Sequence, residues 1–241
     1  MSPPYALIIA GGQGQRLGGV RKADLKVGGR RLIDRVATAL GPVAPPLLVA
    51  TGHGTLALPP DAVGVPDLND TLGGPLAGLA AAVDWLAEHG VADGLIVSSA
   101  VDTPFLPTDF VAVLTAALES HAAVYAQWGD EFYPPHALWR LSAIATLPAR
   151  VRAGTAPKSL KALLREIDAV AQDWQALSAF NPFENLNTLA DLVRLGQRAR
   201  ALPGGIRDNS HRLSAIRAWQ SKTSSLHGPR CRKTAHECDP R

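Results

Sequence analysis

Short apolar runs alternate with segments of helical period over the first half of this chain, and that alternation restricts the fold more than any other feature. Tyr5–Ala10 (YALIIA) is a continuous apolar run that meets glycines at once, as a buried strand entering a loop does. Leu32–Leu40 follows with Leu32, Val36 and Leu40 on one helical face. Leu47–Ala50 reads as a second strand and Ala62–Val65 as a third. Pro75–Glu88 reads as a helix, with Leu79, Val83 and Leu86 on one stripe and Asp84 and Glu88 outside it. Gly94–Ser98 is a further buried strand, Asp109–Glu119 a helix capped by Thr108, and Ala122–Gln127 another strand. Lys158–Ile167 and Thr188–Ala201 read as later helices. Strands alternating with helices predict a three-layer, Rossmann-like α/β fold, its mostly parallel central sheet covered by helices on both faces. In such sheets ligands bind beyond the carboxyl ends of the strands. The segments Gly11–Lys22, Asp67–Gly78 and Asp102–Pro107 all fall there.

Charge divides the chain. The whole carries +3, but residues 207–241 hold eight Lys/Arg against three acids, which leaves −2 for residues 1–206. The expected organisation is therefore a folded domain over 1–205 and a basic, disordered tail over 206–241. Nucleic-acid binding would need cations massed on a folded face, so it is not expected. Both cysteines, Cys231 and Cys238, lie in the tail. With His227 and His236 they give a spacing that matches no usual zinc pattern. No apolar run is long enough to span a membrane, and the N-terminus lacks a signal-peptide pattern, so a cytoplasmic location is expected. A monomer is expected.

The first loop is the most informative. Five glycines in the nine positions 11–19 let backbone N–H groups approach a polyphosphate closely. Arg16 offers bidentate contacts to phosphate oxygens, and Lys22 a point charge. The loop is neither G-x-x-x-x-G-K-[ST] nor G-x-G-x-x-G, which argues against a P-loop or a dinucleotide fingerprint. By itself such a loop equally describes a mobile surface turn.

Its context decides. Ala10-Gly11-Gly12-x-x-x-Arg16-Leu17-Gly18-Gly19-x-x-Lys22 after a first strand resembles the signature of the nucleotidyltransferases that make activated cofactors and sugars. Within them, Ala10-Gly11-Gly12 looks closer to the molybdenum cofactor guanylyltransferases, the MobA-like family, than to the cytidylyltransferases, which more often show Ala-Ala-Gly. Gly73-Gly74-Pro75-Leu76-Ala77-Gly78-Leu79 resembles that family's G-P-L-A-G-[ILM] element, and Asp102-Thr103-Pro104-Phe105-Leu106 its D-[TM]-P-[FY]-[LI] element. Phe183-x-Asn185-Leu186-Asn187-Thr188-x-x-Asp191-Leu192 resembles its F-x-N-[VIL]-N-T-x-x-[DE]-[LF] element. One stretch departs. The family's His-Pro-[VL]-x-[AG]-[LV]-[WY] corresponds to Tyr133-Pro134-Pro135-His136-Ala137-Leu138-Trp139, with the histidine displaced by three positions and Tyr133 in its place. No catalytic role is carried to His136.

The resemblance, over about residues 5–200, implies transfer of GMP from GTP to the terminal phosphate of molybdopterin or Mo-molybdopterin, with Mg²⁺ and release of pyrophosphate. It implies catalytic roles for Lys22, Arg16 and Asp102, with Asp102 holding the metal. Ala10, Gly11, Gly12, Gly14, Lys22, Asp67, Gly74, Pro75, Leu76 and Asp102 would bind the nucleotide. Asp67 would face the base, with Asp70 as the alternative. Asn185 and Asn187, whose amides an extended segment turns to one side, would meet the pterin or its phosphate. Molybdoenzymes or their chaperones are the implied recipients. Two rivals stay open: a cytidylyltransferase of the same fold, and a cofactor-binding homologue without catalysis.

Overall fold

The sheet grows outward from its middle. Strand β1 (Tyr5–Ile9) is the first element, and every residue from Ala6 to Ile9 is buried, as expected for a strand covered on both faces. The computed structural model describes residues 2–11, 19–52, 55–68 and 73–201. The expected boundary at residue 205, the tail and its Cys231, Cys238, His227 and His236 lie outside these residues.

After a single 3-10 turn at Lys22–Asp24, a two-stranded ribbon (β2, Lys26–Val27; β3, Arg30–Arg31) leads into helix α1 (Leu32–Leu40). Arg31 precedes α1 and forms a bidentate pair with Asp34 in its first turn, at 2.8 and 2.7 Å. A carboxylate there suits the positive end of the helix dipole. Strands β4 (Ala44–Ala50) and β5 (Ala62–Val65) then extend the sheet to one side of β1, all parallel. Helix α2 (Pro75–Glu88) returns the chain to β6 (Leu95–Ala100), which lies parallel on the other side of β1. The chain thus reverses its direction of growth at β1, and in such sheets ligands bind at the carboxyl ends beside that reversal.

Helix α3 (Phe110–Leu118) leads to β7 (Ala123–Trp128) and β8 (Glu131–Arg140). Short helices α4 (Leu141–Ile144), α5 (Leu147–Arg152) and α6 (Leu160–Glu166) precede β9 (Val170–Asp173), and α7 (Leu189–Ala201) follows it. The seven-stranded order is β5-β4-β1-β6-β8-β7-β9, and only β8 runs antiparallel to its neighbours. The mostly parallel α/β sheet is as expected. Leu7, Ile9, Ile96 and Trp139 face α2, α5 and α6 in one large apolar cluster. No helix among the described residues is long and apolar enough to cross a membrane.

The helices Leu32–Leu40 and Pro75–Glu88 have the expected bounds. One reading needs correction, and two strands were not foreseen. Thr108 does not cap α3: the helix starts after Asp109, and the Phe110 N–H bonds the Pro107 carbonyl at 3.1 Å. The unforeseen strands are β9 and β8, and in β8 Pro134 and Pro135 are unusual residues for a strand. The register explains their presence. Tyr125 faces Ala137 but Ala126 faces Tyr133, so Pro134, Pro135 and His136 form a bulge opposite no β7 residue. The missing proline N–H groups therefore remove no bond from that ladder.

Candidate active site

Backbone bonds continue past the strand ends and level the loops above them. The Ala10 N–H bonds the Ala50 carbonyl at 2.9 Å, Val101 bonds Ile9 at 3.1 Å, and Thr51 bonds Val65 at 3.2 Å. Ala10 is buried, and Gly11 lies so close to Gly52 that a Cβ on it would come within 3.3 Å of the Gly52 nitrogen. The segments after β1, β4 and β6 therefore meet along one edge.

Lys22 stands on the 3-10 turn, which the fully buried Ala23 anchors. Its ammonium donates to Asp102 Oδ2 at 2.7 Å and to Asn187 Oδ1 at 2.6 Å. The Lys22 and Asp102 side chains keep only 18% and 16% of their surface exposed, so the pair is shielded without being sealed. Asp102 follows β6, and its carbonyl accepts the Leu186 N–H at 2.9 Å. That bond ties the second half of the chain to the Asp102 turn.

Asn187 is held by Asp191, whose Oδ2 accepts the backbone N–H groups of Asn187 at 3.1 Å and Thr188 at 2.9 Å. The Thr188 hydroxyl in turn accepts the Asp191 N–H at 3.1 Å, the reciprocal pattern of a capping box, so Thr188 caps α7 as expected. Desolvation works to raise the Asp191 carboxyl, but bonds from Thr188, Arg194 and the Asn187 and Thr188 amides outweigh it and hold it down at about 2. Asn185 is exposed, and the side-chain contact recorded from this segment to Lys22 is made by Asn187.

On the other flank, Gly74 adopts φ 85° and ψ −165° just before Pro75, a conformation that favours glycine, and Pro75 opens α2 without losing a helix bond. Leu76 is 3% exposed and packs into the core, so only its backbone is available to a ligand. Gly78 has a packing reason: a Cβ there would lie 2.6 Å from the Cβ of Ala50, the last residue of β4. This contact seats the first turn of α2 at the carboxyl edge. Asp67 is half-buried after β5, beside Leu68, which packs on the core. Gly12, Gly14, Arg16 and Asp70 lie outside the described residues.

Behind Asp102 sits a group that the sequence reading left without a role. His136, 1% exposed, meets Ser99 Oγ through Nδ1 at 3.1 Å and Thr103 Oγ1 through Nε2 at 3.0 Å. Burial pushes its pKa down to about 3, so the ring is neutral. Phe110 and Phe183 flank it at centroid distances of 6.2 and 5.3 Å. Tyr133, at the family's histidine position, bonds Glu131 and accepts from Asn181 Nδ2 at 2.6 Å. Burial and the Glu131 carboxylate push its phenol up to about 12. The displaced histidine motif was the sequence signal for this cluster, but only the β8 bulge shows where the ring goes.

Residues 6–171 match the family model described as MobA-like NTP transferase domain. Two molybdenum cofactor guanylyltransferases are similar over most of their length. That of Cereibacter sphaeroides is 37% identical over 79% of this chain and 94% of its own, and that of Rhodobacter capsulatus 38% over 80% and 95%. Among solved structures, molybdopterin-guanine dinucleotide biosynthesis protein A from Archaeoglobus fulgidus superimposes with TM-score 0.63 at 21% identity, covering 82% of this chain and all of its own. The 2-C-methyl-D-erythritol 4-phosphate cytidylyltransferase from Thermus thermophilus shares the fold, with TM-score 0.57 at 18% identity over 82% of this chain and all of its own. With Lys22, Asp102 and Asn187 joined at the carboxyl edge of such a sheet, the chain belongs to the MobA-like NTP transferase family.

Proposed function

We propose that this chain transfers GMP from GTP to the terminal phosphate of molybdopterin, forming the guanine dinucleotide cofactor and releasing pyrophosphate. The observation that carries this reading is the junction at Lys22: one ammonium bonds residues 80 and 165 positions away, each from a different motif. The relatives' names supply the product, and their identity over nearly their whole length supports carrying it over.

The acceptor is a phosphate monoester, largely dianionic near pH 7 because its second pKa is about 6. One of its oxygens attacks the α-phosphorus of GTP. A new P–O bond forms, the α–β phosphoanhydride bond breaks, and pyrophosphate leaves with the electron pair. The nucleophile is already ionised, so no strong base is required. The protein's task is alignment and neutralisation of charge. In this reading Lys22 and Arg16 hold phosphate oxygens, while the backbone of Ala10, Gly11, Gly12 and Gly14 lines the polyphosphate. Gly74, Pro75 and Leu76 flank the nucleoside, and Asn185 and Asn187 face the acceptor. Asp67 accepts from guanine N1–H and N2–H₂, a donor pair that cytosine lacks.

Asp102 suits Mg²⁺. Its carboxylate is partly shielded at the crevice, and the described residues contain no cluster of three or more His, Cys, Asp or Glu that could cage a metal. Mg²⁺ takes one or two carboxylates and fills its remaining positions with substrate phosphate and water. When bound, it supplies positive charge to the phosphates. Lys22, which bonds Asp102 directly, would share that carboxylate with the metal, and its second partner is Asn187.

Equilibrium binding of GTP and CTP to the purified protein with Mg²⁺ tests the base assignment. GTP is expected to bind at least about tenfold tighter, since two charge-assisted hydrogen bonds separate the bases. Asp67→Ala is expected to erase the preference. Tighter binding of CTP would make the product a cytosine dinucleotide, and binding of neither would contradict the reading.

A further inference from the structure

We infer that His136 is a positioning residue for the Asp102 turn. One imidazole bonds Ser99, within β6, and Thr103, directly after Asp102, at 3.1 and 3.0 Å. The ring therefore bridges the chain on both sides of the carboxylate that the proposed reaction uses. The inference rests on that functional reading.

Three features make the bridge rigid. The two hydroxyls have no exposed surface, and the ring is 1% exposed, so water cannot substitute for either bond without entering the core. A neutral imidazole has one donor and one acceptor nitrogen, and a hydroxyl can serve either role, so the trio is satisfied by one tautomer or the other. The ring reaches this place because the three-residue bulge in β8 frees His136 from a β7 partner while Ala137 still pairs with Ser98. From the opposite side the Leu186 N–H holds the Asp102 carbonyl. The turn is thus fixed by contacts that leave its carboxylate free to pair with cations, Lys22 among them. Active-site groups need such supporting contacts to hold them within fractions of an ångström.

A purely structural histidine would change stability alone, whereas a positioning one changes turnover in the folded enzyme. Thr103→Val removes one hydroxyl at nearly constant volume, and His136→Phe removes both bonds. Pyrophosphate release from GTP with molybdopterin is measured for each, well below its melting temperature. Thr103→Val is expected to lower kcat about tenfold with KM for GTP changed less than threefold. The double variant is expected to be no slower than His136→Phe alone, because both changes break one link. If wild type is active and Thr103→Val keeps its kcat while only its Tm falls, or if the two losses multiply, the inference is overturned. Should His136→Phe fail to fold, the Thr103→Val kcat decides. A wild-type chain that releases no pyrophosphate from GTP under any of these conditions overturns the functional reading, and the inference with it.

Discussion

The two sides of the Asp102 turn are built on opposite principles. In front, the carboxylate meets the Lys22 ammonium, and both side chains keep some access to water. Behind, a neutral imidazole and two hydroxyls are sealed in the core. The front is a pair of charges that a polyanionic ligand can reach, because both side chains stay in contact with solvent. The back cannot rearrange without leaving buried polar groups unpaired, at about 1–3 kcal/mol each. Such a division suits phosphoryl-group chemistry, in which the protein aligns and neutralises more than it reacts. Accessible charge handles the ligand, and a fixed neutral cluster keeps that charge in place.

The comparison can be broken most sharply at the front. Asp102→Ala and Lys22→Ala are each expected to lower kcat/KM about 10²–10³-fold, the range typical of removing one preorganised electrostatic group. Melting temperature should move little, because the pair is only partly buried. Near wild-type turnover in either variant would remove it from the chemistry, and collapse of the fold would make the front as structural as the back.

The back should answer to pH instead. His136 titrates near 6.5 when unfolded and near 3 when folded. Between those values the unfolded chain binds the extra proton, so its contribution is complete above pH 6.5 and is lost as pH falls toward 3. By pH 5 the loss is about 2 kcal/mol. Denaturation at pH 7 and pH 5 checks this, and His136→Phe should have a shallower slope. An unchanged slope would mean that another group governs acid stability.

Asn187→Ala sharpens the boundary of the front with the smallest effect. It removes one of the two recorded partners of Lys22 but leaves the Asp102 bond. A decrease of about tenfold in kcat/KM is expected, one charged hydrogen bond being worth about 1.5 kcal/mol. A loss as large as that of Asp102→Ala would show that Asn187 does more than orient the lysine and face the acceptor.

The front was far more legible in the sequence than the back. Lys22, Asp102 and Asn187 each sit in a spaced motif, and the alternation of strands and helices puts the first two at strand ends. Their direct contact was not legible, because it joins positions 165 residues apart through the fold. The parallel half of the sheet was read because each strand is a short apolar run between turn signals. The region around β8 was not, since two prolines hid a strand whose bulge removes their cost. His136 was visible only as a displaced motif member. Its partners follow from the pairing of β6 and β8: in the sequence Thr103 reads only as a motif member, and Ser99 has no role. Gly78 likewise read as a motif glycine, while its contact with Ala50 gives it a packing reason.

The most direct measurement is pyrophosphate release by the 241-residue chain with Mg²⁺ and molybdopterin, supplied with GTP or with CTP. Release with GTP that requires molybdopterin and yields the guanine dinucleotide is the predicted result. Faster release with CTP, or no acceptor-dependent release with GTP, would contradict guanylyl transfer.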